Sequence, residues 1–227
     1  MARFVGGDFA EERPETEMSE EFRNWYETTA RERWTENRKR DRADPLFPRE
    51  IGKAWGFGAG IPFPVPEMTP RIRITKLPGD ILPDFLGPLY VSDRVRSKVE
   101  EMEPGVHQFL PLEVEMPDGS TLKEKYCIWC NMNVLDSIIL DRSENLQQVW
   151  PNRDQFPEYY RYGETANGPP VLALNKALIA GKVKWSEYKL GKIFFSDEFA
   201  AWLDAKGIMG WESDGFFGSR RATIIEV

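Results

Sequence analysis

The clearest pattern along the chain is a short apolar run that meets a Ser-Asp pair, and it occurs twice. The first copy reads Leu89-Tyr90-Val91-Ser92-Asp93, then Val95, Val99 and Met102 at helical spacing, then Pro104-Gly105-Val106. The second reads Ile193-Phe194-Phe195-Ser196-Asp197, then Phe199 and Leu203, then Lys206-Gly207-Ile208. Runs of this kind predict strands. Ser is a strong helix N-cap, and an Asp just inside suits the positive end of the helix dipole. A Gly near the helix end permits a left-handed cap before the chain turns. Each copy is therefore expected to be a strand, a helix of two or three turns, and a strand. Such a helix has one apolar stripe, and the adjoining sheet is the nearest surface that can cover it. Two copies do not make a solenoid, which needs about three or more repeats.

Between the copies the pattern changes to strict alternation. Leu110, Leu112, Val114 and Met116 alternate with Glu113 and Glu115, Pro117-Asp118-Gly119-Ser120 supplies turn chemistry, and Tyr126, Ile128, Cys130, Met132 and Val134 share one face of the return. This predicts a hairpin, with the two glutamates on the face away from the apolar set and turned to solvent or a partner. Upstream, Ser19 is placed to cap a helix with Glu20 and Glu21 in its first turn, and Phe22, Trp25, Tyr26 and Ala30 recur at helical spacing. The basic run Arg31, Arg33, Arg38, Lys39, Arg40 and Arg42 lies beyond an acidic stretch from Glu11 to Glu21. It reads as a solvated or internally paired helix face rather than a phosphate site. From Pro45 to Pro70 the chain is rich in Pro and Gly, including Phe57-Gly58-Ala59-Gly60 with Pro62, Pro64 and Pro66. Each Pro removes a donor and fixes φ, so this is a connector or an arm laid across the body, which starts near Arg71 with alternating Ile72 and Ile74. The expectation is an α+β fold. A mixed or antiparallel sheet carries short packed helices, with an N-terminal helix and arm over residues 1–70 and the main domain over 71–227.

Composition narrows the function. The chain has 227 residues, 41% hydrophobic and 30% charged, which is the balance of a globular protein. Its formal charge of −7 argues against a general nucleic-acid binder, which needs Lys and Arg to neutralise phosphates. An acidic surface suits a basic protein partner instead, although it also simply promotes solubility. No run approaches the ~20 apolar residues that span a bilayer. The start, Met1-Ala2-Arg3-Phe4-Val5-Gly6-Gly7-Asp8, has no secretory apolar core. With 2 Cys there is no disulfide framework, so the cytoplasm is the expected compartment.

Catalytic chemistry has no visible instrument. His107 is the single His, beside an expected strand start, and reads as structural. Cys127-Ile128-Trp129-Cys130 is formally a C-x-x-C, but its flanks read as a strand. A spacing of three on a strand sends the thiols to opposite faces, so buried free thiols are expected. There is no dinucleotide fingerprint and no nucleophile elbow, and no cofactor or metal is expected. What remains is binding. The stretch Gln155-Phe156-Pro157-Glu158-Tyr159-Tyr160-Arg161-Tyr162-Gly163 reads as a loop crowded with aromatics, a composition favoured at interfaces. Glu113, Glu115, Tyr159, Tyr160, Arg161 and Tyr162 are the candidate partner-binding residues.

The order of segments resembles immunity family eleven of bacterial polymorphic-toxin systems. The resemblance rests on Leu82-Pro83-Asp84-Phe85-Leu86, Leu89 to Asp93 and Val106-His107-Gln108-Phe109-Leu110-Pro111-Leu112-Glu113-Val114. It continues through Val134-Leu135-Asp136-Ser137-Ile138-Ile139-Leu140-Asp141-Arg142-Ser143, Ile193 to Asp197 and Gly207-Ile208-Met209-Gly210, covering roughly Arg71 to Phe217. It implies a cytoplasmic α+β protein that binds and neutralises a cognate toxin, with no catalytic residues to carry over. The alternatives are an adaptor or chaperone that escorts a secreted effector, and an enzyme that reverses a toxin's modification.

Overall fold

A computed structural model of the chain describes residues 2–5, 15–40, 60–76, 78–83, 89–149, 159–162, 170–187, 189–190, 192–211 and 223–227. In chain order the elements begin with β1 (Ala2–Val5), β2 (Thr16–Met18), α1 (Glu20–Arg40), β3 (Arg71–Ile74), β4 (Ile81–Pro83) and β5 (Leu89–Ser92). Next come α2 (Asp93–Met102), β6 (Gln108–Glu115), β7 (Tyr126–Cys130), β8 (Val134–Leu135), a 3-10 turn at Leu140–Arg142, β9 (Leu146–Val149) and β10 (Tyr159–Tyr162). The last are β11 (Val171–Leu174), α3 (Lys176–Ile179), β12 (Lys184–Glu187), β13 (Lys192–Ser196), α4 (Asp197–Ala205) and β14 (Thr223–Glu226).

The fold is α+β, as the pattern predicts. A six-stranded mixed sheet runs β2-β3-β6-β7-β5-β4, parallel only between β3 and β6. A second sheet runs β1-β13-β12-β8, and two pairs, β9–β10 and β11–β14, complete the strands among the described residues.

Period-2 alternation explains how the first sheet is covered on both faces at β7. All five residues of β7 are buried. Tyr126, Ile128 and Cys130 enter one core with Phe22, Tyr26, Phe63 and Ile72, so α1 and the Pro-rich arm cover that face. Cys127 and Trp129 enter the other, with Val95 and Val99 of α2 and Phe199 and Leu203 of α4. The same division runs through β13, where Phe195 joins this second core and Phe194 a third with Trp185, Leu172 and Ile179. The molecule is thus layered.

The N-terminal segments are built into this arrangement. Ser19 caps α1 by accepting from the Phe22 N–H at 3.2 Å, and β2 pairs with β3. Phe63 is anchored twice by Gln108, whose side-chain oxygen accepts the Phe63 N–H and whose amide donates to the Phe63 carbonyl, both at 2.7 Å. Phe57-Gly58-Ala59, Arg42 and Glu11-Glu12 lie outside the described residues, as do the side chains from Arg33 to Arg40.

The two Ser-Asp units depart from each other in ways the pattern does not show. Ser196 caps α4 as expected, accepting from the Phe199 N–H at 3.2 Å. Ser92 occupies the same position before α2, but its hydroxyl donates to Asp80 Oδ1 at 2.9 Å and caps nothing. The helix ends also differ. Gly207, at φ +59°, closes α4 with the Gly207 N–H on the Asp204 carbonyl and the Ile208 N–H on the Leu203 carbonyl. No strand follows directly: residues 208–211 are irregular, whereas β6 does follow the first unit. The return of the hairpin also ends sooner than expected, because Val134 leaves the Tyr126 face and joins β8 in the second sheet.

Candidate functional site

The acidic face of β6 is present, but it is not acidic alone. The parallel register sets Arg71 opposite Glu113 and Arg73 opposite Glu115. Arg71 donates to Glu113 from Nε and Nη2 at 3.1 and 2.8 Å, and Arg73 Nε donates to Glu115 at 2.7 Å. Glu17 lies across from Arg73 on β2. One face of the sheet therefore carries an alternating charge ladder across β3 and β6, with the Arg71 and Glu113 side chains 53% and 40% exposed. Pairs this wet contribute little to stability, about 0–1 kcal/mol each.

The aromatic stretch is a strand rather than a loop where it is described. Tyr159–Tyr162 form β10, antiparallel to β9, with Tyr160 opposite Gln148. The Tyr160 N–H donates to the Lys189 carbonyl at 2.8 Å, and its half-buried ring packs on the third core. The structure thus ties Tyr160 to the body while Glu113 and Glu115 lie on the first sheet. Gln155 to Glu158 and Gly163 lie outside the described residues.

His107 proves to belong to a buried polar seam that the pattern did not reveal. Its Nδ1 accepts the Met132 N–H at 3.3 Å, which leaves Nε2, 3.2 Å from Glu103 Oε2, to carry the proton. Glu103, at the end of α2, also accepts from Asn133 Nδ2 and the Val183 N–H, each at 2.9 Å, with Lys182 Nζ at 3.4 Å. One carboxylate thereby joins α2, the start of β6, the β7–β8 link and the start of β12. Burial alone would raise its pKa, but donation from His107, Val183 and Asn133 outweighs burial and holds it down to about 2.

Two further ionisable groups are buried along β12. Lys184 is 2% exposed with its ammonium 4.3 Å from the centre of the Trp129 ring, and burial lowers its pKa to about 7. Glu187, fully buried, accepts from both the N–H and the hydroxyl of Ser137 and from the Lys189 N–H. Burial raises its pKa to about 7 despite those bonds. The cysteines fall on opposite faces of β7, both buried thiols outside any disulfide, and burial pushes the Cys127 thiol up to about 12. Among the described residues, no three His, Cys, Asp or Glu side chains converge as a metal site, and no helix is long and apolar enough to cross a membrane.

These polar side chains are tied to backbone and to one another rather than converging on an open cleft. Residues 14–214 match the sequence model of an immunity protein family, Imm11. The chain belongs to that family. The match begins well before Arg71, so β2, α1 and the arm fall inside the Imm11 region, in keeping with their place in the first core. A search of curated proteins finds no match to the chain.

Two segments inside the matched region have evident structural work. In Val134 to Ser143, Ser137 holds Glu187, while the Ser143 hydroxyl donates to the Ile139 carbonyl and accepts the Ala173 N–H. In Gly207 to Gly210, the Met209 carbonyl accepts the Ile81 N–H at 3.0 Å, and its N–H reaches Asp80 at 3.4 Å. Gly210 has φ +92°, and a Cβ there would lie 1.9 Å from the Ile81 carbonyl oxygen. Only glycine fits that approach.

Proposed function

We propose that this chain protects the cell by forming a stoichiometric complex with a cognate toxin in the cytoplasm, covering the toxin's active site. The observation that carries the reading is the match to an immunity protein family across residues 14–214. The geometry supports binding over catalysis. Glu103, His107 and Glu187 are engaged in bonds that hold elements together, and the thiols are buried with Cys127 kept protonated. Glu113, Glu115 and the Tyr159–Tyr162 strand are the proposed contacts. The alternating ladder on β3 and β6 would meet a partner whose charges alternate in turn, with aromatic anchors providing most of the energy.

The test is recovery of the tagged chain from its native cells. The expected result is one near-stoichiometric partner whose expression alone arrests growth and whose arrest the chain relieves. An effector that is bound but stays fully toxic would instead identify an escort. Charge reversal at Glu113 and Glu115 is expected to weaken that complex, and unchanged affinity would remove the ladder from the interface.

A further inference from the structure

Among the described residues, one methionine stands apart from the others. Met209 is 62% exposed, whereas Met18 is buried and Met68, Met102, Met116 and Met132 are half-buried. The backbone after α4 explains its position. Ile208, before it, is 6% exposed in the second core, and Trp211, after it, packs on the same core with its ring 6.1 Å from Phe195. Between them the Met209 carbonyl accepts the Ile81 N–H at 3.0 Å, and the Met209 N–H reaches Asp80 Oδ2 at 3.4 Å. The approach to β4 is close enough to require glycine twice. A Cβ on Gly79 would lie 2.8 Å from the Met209 carbonyl oxygen, and one on Gly210 would lie 1.9 Å from the Ile81 carbonyl oxygen. The backbone is thus pressed against β4 while the thioether projects into solvent. The bonds that hold the loop are backbone bonds, and the sulfur takes no part in them.

The thiols are withheld from the same chemistry. Peroxides react first with accessible thiolates. Cys127 and Cys130 are both buried, and the Cys127 thiol donates to the Val91 carbonyl at 3.6 Å. Burial pushes that thiol up to about 12, so it stays protonated at neutral pH.

We propose that Met209 is a reversible oxidation site: a peroxide converts its thioether to the sulfoxide on the folded chain, and a methionine sulfoxide reductase drawing on a thiol reductant restores it. In the forward step one peroxide oxygen passes to sulfur. The S–O bond forms as the O–O bond breaks, sulfur gives up two electrons, and the second oxygen leaves as water. In the return step two thiols supply two electrons and two protons and become a disulfide, while the sulfoxide oxygen leaves as water. Oxidation turns a flexible apolar side chain into a polar, chiral one. The loop keeps its hold on β4, because none of its bonds uses the sulfur. The inference goes beyond the toxin-binding reading and does not rest on it.

The test treats the purified full chain with hydrogen peroxide and follows each methionine by peptide mapping with mass spectrometry. Met209 is expected to oxidise at least about fivefold faster than Met18, Met68, Met102, Met116 and Met132, with the thiol count and Tm unchanged. In guanidinium all of them should oxidise at similar rates, because the fold makes the difference. Reductases for both sulfoxide epimers, supplied with dithiothreitol, should return Met209 to the thioether in the folded chain. Equal oxidation of any of the other five, earlier loss of the thiols, or selectivity that persists in guanidinium overturns the proposal. Repair only after unfolding overturns its reversibility. A fall in Tm on oxidation that Met209→Leu prevents would show that the sulfur supports the loop, and overturns the backbone account.

Discussion

The Trp129 ring lies nearly parallel to the Phe195 ring, 5.9 Å between centroids and 14° between planes, and so joins β7 of one sheet to β13 of the other. Phe199 meets both rings edge-on, at 5.9 and 5.1 Å. These side chains form the centre of the core between the sheets. Phe195→Ala is expected to cost about 3–5 kcal/mol, the usual penalty for emptying a buried aromatic site. Urea unfolding followed by tryptophan fluorescence measures it, and a cost below 1 kcal/mol would show that the two sheets do not depend on this contact.

Lys184 provides a test whose sign depends on pH. Its folded pKa, about 7, lies below the ordinary 10.5 because burial disfavours the ammonium. The folded state therefore carries the full cost of the buried charge below pH 7 and is relieved as pH rises from 7 to 10.5. Lys184→Met should raise Tm most at pH 6 and progressively less toward pH 10. A gain that is constant across this range contradicts the burial argument. Glu187 runs the other way, because its raised pKa imposes a cost that grows from pH 4.5 to 7.

Glu103 behaves in the opposite sense to Glu187. Its folded pKa of about 2 lies below 4.5, so it contributes stability above pH 4.5 that is lost as pH falls toward 2. That contribution is on the order of 3 kcal/mol at neutral pH. Glu103→Gln should be clearly destabilised at pH 7 and approach the wild type near pH 2. Parallel acid-unfolding curves for the two proteins would contradict the bonding assigned to the seam.

The two serines that precede α2 and α4 should respond differently. Ser196→Ala removes a cap bond and should cost about 1 kcal/mol through α4. Ser92→Ala leaves the α2 end unchanged and instead releases Asp80 from the Ser92 hydroxyl. Hydrogen exchange separates them. Ser196→Ala should speed exchange of the Phe199 amide, whereas Ser92→Ala should act on the Ile81 and Met209 amides.

The legible features were those set by local periodicity. Two residues per strand repeat placed Cys127 and Cys130 on opposite faces, and helical spacing with a serine before it located α1 and α4. The missed features depend on partners distant in sequence. Glu113 and Glu115 are answered by arginines 42 residues earlier, through a parallel register that no short window contains. Ser92 binds Asp80 rather than its own helix, for the same reason. Tyr159–Tyr162 looked like a loop because its pairing strand, β9, carries an ordinary polar sequence. Lys184 and Glu187 fall on opposite faces of β12, and both are buried because elements distant in sequence cover both sides of that strand. Of the candidate contacts, Tyr160 packs on the third core, through partners distant in sequence.

The central claim is neutralisation by a complex, and stoichiometry tests it most directly. The partner's toxic activity should be titrated with increasing amounts of this chain at a partner concentration far above the dissociation constant. A linear loss of activity that ends at an equimolar ratio is the expected result. Full protection at a small fraction of one equivalent would mean that the chain turns over, and would contradict the account.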